Sequence, residues 1–454
     1  MKNRIALALL LVCTVMFSLA SSCEKEPHGP TPEDEDALIV RYGLSNCYLV
    51  DTVSTSISFD VKAYPVYAKN HITASKTEDT QAVPAASVQT IWIEDGFTFD
   101  APTISDKVVT VSNFSGYGNG LVGIYDADGN LLWSYHIWRP KDDPTQVLRF
   151  ASMGAYVMPM ALGATEIWDG EPVVSKRQPN YAATAGLYYQ WGRKDPLGRP
   201  GAITGSTEQN YWDASGTLIT PFGSSQSVSI DAALADYTGD VADETNAAYQ
   251  PTSQFMQNYA RKNPTTFVWV TEKTHNNDWA DETNNFFWGN YRASGSFPRM
   301  NKTYKSIFDP CPQGYRVPPE DTWVGFTTTK TNTYGATSYP EWNMANNGPY
   351  DSGTNMFEGN VTSNDTYKLD VARGYAFYYQ GYGTGNTDFY PASGYRDRGT
   401  SGMYYVGTAC VCWGSAPNGA SASRMFFSSS NIHPVSAHER GYGFSVRCVK
   451  EPTQ

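Results

Sequence analysis

Short apolar runs rich in β-branched and aromatic residues, separated by Gly, Pro, Asn and Asp, set the pattern from Ala37 to Trp138. The runs are Cys47-Tyr48-Leu49-Val50, Ser56 to Val61, Val88 to Ile93, Lys107 to Val111 and Gly120 to Tyr125. Asp126-Ala127-Asp128-Gly129-Asn130 has the chemistry of a hairpin turn, and Leu131 to Trp138 alternates as its returning strand. No amphipathic helix interrupts them. Strands at this spacing predict a β-sandwich over residues 37–139, bounded by Pro140 to Pro144.

The first residues follow a different pattern. Lys2 and Arg4 precede an apolar run from Ile5 to Phe17, and Ala20, Ser21 and Ser22 lead to Cys23. This reads as a lipoprotein signal peptide over residues 1–22, with Cys23 as the lipidated first residue after cleavage. Ile5 to Phe17 is shorter than the ~20 apolar residues of a membrane helix, so acyl chains are the expected membrane contact. Residues 23–36 are acidic and Pro-rich with almost no apolar side chain, the composition of a flexible tether. Glu24 and Glu26 resemble the surface-export signal of Bacteroidota lipoproteins, which implies an outer-membrane protein facing the cell exterior.

Ser45-Asn46-Cys47-Tyr48-Leu49-Val50 and Leu132-Trp133-Ser134-Tyr135-His136-Ile137-Trp138 resemble the N-terminal β domain of Bacteroidales surface lipoproteins, some of them fimbria-associated. Downstream, Leu162-Gly163-Ala164, Gly186 to Pro196, Asp309 to Pro318 and Gly443 to Val449 resemble the Fibrobacter succinogenes major paralogous domain. The chain departs from it at Met158-Pro159-Met160-Ala161, where relatives often read Met-Asp-Arg-Asn. That domain is similar in turn to the C-type-lectin-like and formylglycine-generating-enzyme superfold. The resemblance implies a C-terminal α+β domain over residues 145–454, a short helix beginning near Pro319-Glu320-Asp321, and a last central strand from Phe444 to Val449. It also places Cys311 near Cys448, and a bridge there stabilises by about 5 kcal/mol in the chain-entropy model. Residues 197–303 are polar and read as a loop insertion. The expected fold class is therefore β-rich and multidomain, an N-terminal β-sandwich plus a C-terminal domain of C-type-lectin-like type.

Composition narrows the function. The 454 residues exceed what one small core needs, and the net charge of -12, without any Lys/Arg-rich block, argues against nucleic acid and anionic membrane as partners. Export leaves Cys47, Cys410 and Cys412 outside the expected bridge; Cys410 and Cys412 lie two apart on a strand and so share a face. Two thiolates on one face suit a soft metal, but no further ligand has recognisable spacing, so no metal site is assigned and the pair reads as core. Asp365, Asp370 and Asp388 leave structural calcium open, without the triplets C-type lectins use. Asp278, Asp281 and Glu282 read as a solvated loop face, Ser415 lies in no nucleophile elbow, and no catalytic constellation appears.

Aromatic residues in Gly/Asn-rich stretches are the expected ligand-binding positions, because rings stack on sugar faces and anchor protein interfaces. They are Trp279, Trp288, Trp342, Tyr350 and Tyr382, with Tyr291, Tyr378 and Tyr379 nearby; Trp191, Trp323 and Trp413 read as structural. The function expected is a non-catalytic cell-surface binding or adhesion module for a glycan or protein, associated with a fimbria, without a resident cofactor. The rivals are a divergent formylglycine-generating-type oxidase and a purely structural fimbrial subunit.

Overall fold

All six runs between Cys47 and Trp138 are strands in the computed structural model: Cys47–Leu49, Ser56–Asp60, Ser87–Glu94, Val108–Ser112, Gly118–Tyr125 and Leu131–Arg139. The structure describes residues 45–61, 85–145, 148–149, 156–167, 181–201, 208–220, 222, 227–237, 256, 259–270, 277–280, 285, 287–288, 305–326, 374–378, 387–428 and 432–451. Cys23 and the expected tether lie outside them. The hairpin turn forms because the Asp126 carboxylate accepts from the amides of Asp128 (3.0 Å) and Asn130 (2.8 Å), while Gly129 takes φ 84°.

These strands form two facing sheets. The larger has the order Cys47–Leu49, Leu131–Arg139, Gly118–Tyr125, Ser87–Glu94, Tyr211–Trp212, Leu218–Ile219. Cys47–Leu49 runs parallel to Leu131–Arg139, pairing Tyr48 with Ile137. The smaller sheet is Ser56–Asp60, Val108–Ser112 and Thr103–Ser105. Phe59 from it packs edge-on against Tyr135 at 5.0 Å and stacks on Tyr48 at 3.8 Å. Val109 and Val111 are fully buried in the same core. Alternation along Leu131–Arg139 does not mean one wet face, however, since Trp133 to Arg139 are all buried. The opposite face is covered by the chain after residue 160: Trp138 Nε1 donates to the Ala164 carbonyl at 2.7 Å, and Ser134 Oγ to Asp195 at 2.7 Å.

The expected division at Pro140 to Pro144 falls inside one compact unit, Leu38–Gln454. Asn46 Nδ2 donates to the carbonyls of Ile307 (2.6 Å) and Asp309 (3.0 Å), so the first strand is tied to a segment more than 260 residues downstream. The 197–303 region, expected as loop, also holds regular elements. Tyr211–Trp212 and Leu218–Ile219 extend the first sheet, and Ser227–Ser229 pairs in parallel with Phe267–Trp269 beside the helix Ile230–Tyr237. Its polar composition hid them because each element is short and buries only a few side chains.

The other large sheet has seven strands. Met403–Tyr404, Tyr395–Arg396, Gly443–Ser445, Ala409–Asn418, Ser421–Ser428 and Ile432–Glu439 follow in order, and Tyr188–Gln190 also pairs with Gly443–Ser445. The expected strand Phe444 to Val449 is split into Gly443–Ser445 and Val449–Lys450, the second belonging to a separate four-stranded sheet with Tyr315–Arg316. Between the two pieces Cys448 bonds Cys311 with Cα atoms 5.9 Å apart. The helix near Pro319 is a 3-10 helix, Glu320–Phe326, all of whose residues are buried. Among the described residues no helix is long and apolar enough to cross a membrane.

Candidate functional site

At one edge of the seven-stranded sheet the described residues form an exposed aromatic shelf. Tyr395 and Tyr404 are directly opposed across antiparallel strands, so their side chains share a face. Alternation would send the next residue, Tyr405, to the other face. Tyr405 instead takes φ 57°, and its ring stacks on Tyr395 at 5.5 Å with 22° between planes. Tyr404 stacks on the same ring at 6.4 Å, also at 22°, while Tyr442 meets it edge-on at 5.5 Å. Tyr404 is 45% and Tyr405 59% exposed; Tyr395 and Tyr442 are half-buried beneath them.

A left-handed conformation costs a non-glycine residue about 1 kcal/mol or more, so it persists only where the surroundings hold it. Here they do. The Tyr405 carbonyl accepts from Thr408 N (2.9 Å) and Ala409 N (3.0 Å), and Gly407 N donates to Ala392 O at 2.7 Å. The preceding turn is pinned by Asp397, whose carboxylate accepts from Gly399 N, Thr400 N and Thr400 Oγ1. Arg396, buried below, donates to the carbonyls of Ser401 and Phe222 and to the Glu208 carboxylate. Gly394 is required: a Cβ there would lie 2.3 Å from the Tyr404 carbonyl oxygen. The shelf is thus built before any ligand arrives.

Charge around the rings is balanced. The Arg398 guanidinium sits 5.6 Å from the Tyr442 ring centre, and Arg424 lies 5.7 Å from that of Phe444, with Asp397 and Glu439 nearby. His438 packs on Tyr442 at 4.4 Å; burial pushes its pKa down, which keeps the imidazole neutral at pH 7. The contact with His438 holds the Glu439 carboxyl at about 2, so it is ionised. The half-buried Tyr395 hydroxyl is pushed up by loss of water and stays protonated, a donor as well as an acceptor.

No protein-family model, curated protein or solved structure matches the chain.

Two of the residues expected to bind ligand are core instead. Trp279 is 0% and Trp288 1% exposed. Trp279 Nε1 donates to the Trp191 carbonyl at 2.7 Å, and Trp288 Nε1 to that of Phe308 at 3.2 Å. Trp288 lies 5.5 Å from Trp191, and the Arg193 guanidinium covers Trp279 at 5.7 Å. An indole that finds a backbone carbonyl can be buried whole, and composition does not reveal that partner. Trp342, Tyr350, Tyr382, Tyr291 and Tyr379 lie outside the described residues, as does the Tyr378 side chain. The four shelf tyrosines were missed; the available signal was the pair Tyr404-Tyr405 between Gly402 and Gly407.

Asp278 is not on a solvated face. It is buried 3.8 Å from Arg440, and burial raises its carboxyl to about 7. Asp388, considered for calcium, is buried and accepts a hydrogen bond from Arg447, while Asp365, Asp370, Asp281 and Glu282 lie outside the described residues. Cys410 and Cys412 share a face with sulfurs 3.9 Å apart, buried beside Trp323, Met425 and Phe427. Burial pushes the Cys410 thiol well up, which disfavours the thiolate a metal needs. Among the described residues no group of three or more His, Cys, Asp or Glu could hold a metal ion.

One nucleophile-like arrangement went unnoticed in the sequence. Ser134 Oγ lies 2.6 Å from Lys194 Nζ and 2.7 Å from Asp195 Oδ1, and burial lowers Lys194 to about 8. All three are buried, with Lys194 Nζ also held by the Ser134 carbonyl and lying 4.6 Å from the Trp133 ring centre. A hydroxyl so enclosed meets no substrate. The trio joins the first sheet to the 190s segment.

Proposed function

We propose that the protein is a lipid-anchored outer-membrane lipoprotein displayed at the cell surface, acting as a non-catalytic binding or adhesion module for a glycan or protein. The observation that carries this reading is the strained, pre-built tyrosine shelf. Large rings are left in water on a backbone held by hydrogen bonds from every side, and backbone strain of this kind tends to mark sites where it serves function. The N-terminal strands read as a β-sandwich and the rest as a domain of C-type-lectin-like type. Support comes from the two facing sheets and from the convergence of the resembling blocks: Tyr189 of the Gly186 to Pro196 block is paired with Phe444 of the last. The resemblance to Bacteroidales surface lipoproteins, some of them fimbria-associated, supplies the surface setting, and Cys23 supplies the anchor.

Two measurements test the reading. Cys23→Ala should release the protein from membranes, because the variant lacks the site for the acyl chains; retention after a high-salt wash would count against the anchor. The double variant Tyr404→Ala/Tyr405→Ala should keep its fold and lose adherence to host cells. Unchanged adherence would remove the shelf from the binding role, and a wild type that adheres to nothing would favour a structural fimbrial subunit.

A further inference from the structure

We infer that the ligand of the tyrosine shelf is a neutral glycan, with hexopyranose rings packed against the exposed side chains of Tyr404 and Tyr405. This rests on the proposed binding role of the shelf and specifies its ligand. The shape of the surface is the first argument. Among the described residues its exposed large apolar side chains are tyrosines, while the neighbours Met403 and Val406 are buried, so none of them offers an aliphatic anchor at the centre of the patch. Two part-exposed rings fall far short of the about 800 Å² per partner that a stable protein interface buries. They match one or two sugar rings, whose C–H faces stack on aromatics while hydroxyls meet polar tips.

Charge selects among glycans. Among the described residues, Arg398 and Arg424 are offset by Asp397 and Glu439. A uronate or sialylated chain would find no net cation there, and it would approach a protein carrying -12 overall. A neutral sugar loses nothing by that balance. Its hydroxyls can pair with the phenol hydroxyls of Tyr404 and Tyr405.

The test titrates the full-length protein in mild detergent with neutral hexose oligosaccharides, and separately with sialylated and uronate-containing ones. Tyr405→Asn and Tyr405→Phe are run beside it. Asn tolerates the left-handed backbone, so Tyr405→Asn removes the ring without disturbing the loop. Neutral oligosaccharides should bind the wild type, bind Tyr405→Asn at least about tenfold more weakly at unchanged Tm, and bind Tyr405→Phe nearly as well. Preference for acidic glycans, neutral binding unmoved by Tyr405→Asn, or absence of any glycan binding would overturn the inference. If glycans fail while host-cell adherence still falls in Tyr405→Asn, only the ligand class is lost. If adherence is also unmoved, the shelf loses its binding role as well.

Discussion

The tryptophans around Trp191 and the tyrosines around Tyr395 are both aromatic clusters assembled from Gly-rich and Asn-rich stretches, and they have opposite fates. In the first, Trp279 and Trp288 are sealed, each indole N–H donating to a backbone carbonyl. In the second, Tyr404 and Tyr405 stand in water on a backbone bent into an unfavourable region to keep them there. Ring content therefore says little about role. What separates the two is whether the polar tip finds a partner inside the protein and whether the backbone conformation favours burial or presentation.

The contrast breaks most sharply through the tryptophans. Trp279→Ala should destabilise the protein by about 3–5 kcal/mol, since it empties a sealed volume and leaves the Trp191 carbonyl without its donor. Thermal or denaturant unfolding measures this, and a variant as stable as wild type would show that the cluster is not core. Ligand binding by the folded fraction should be unchanged.

Acid probes the buried side next. His136 is enclosed in the first sheet, with its Nε2 2.9 Å from the Asn119 Oδ1. The Asn119 amide is oriented by its bonds to Glu94 and Gly163, so Nε2 carries the proton and Nδ1 is bare. Burial lowers His136 to about 3, against an ordinary value of 6.5. Below 6.5 the unfolded chain takes up a proton that the folded chain refuses, so this group's contribution to stability falls as pH drops from 6.5 towards 3. By linkage the loss is about 2 kcal/mol at pH 5 relative to pH 8. Unfolding curves of wild type and His136→Gln across that range isolate the term; parallel pH dependence in the two would refute it.

The shelf gives the smallest stability effect. Tyr405→Asn exchanges a strained ring for a residue at ease with φ 57°, so its stability should stay within about 1 kcal/mol of wild type, with Tm unchanged or higher. A large drop would mean that Tyr405 is part of the core and that the two clusters do not differ as drawn.

Local patterns in the sequence determined six of the strands between Cys47 and Arg139, the Asp126 to Asn130 turn and the buried face shared by Cys410 and Cys412. Each of these follows from alternation, turn chemistry or side-chain direction within a few residues. The tertiary structure decided the rest. It covered both faces of Leu131–Arg139, because strands and loops from after residue 160 pack on the side that alternation would leave wet. It found regular elements in the 197–303 region by pairing Tyr211–Trp212 with Ser87–Glu94, more than 100 residues earlier. It also turned Trp279 inward and Tyr405 outward. Those two outcomes depend on a carbonyl from Trp191 and on a left-handed turn braced by Ala392 and Ala409, and no local stretch of sequence encodes partners that only the folded chain brings within hydrogen-bonding distance.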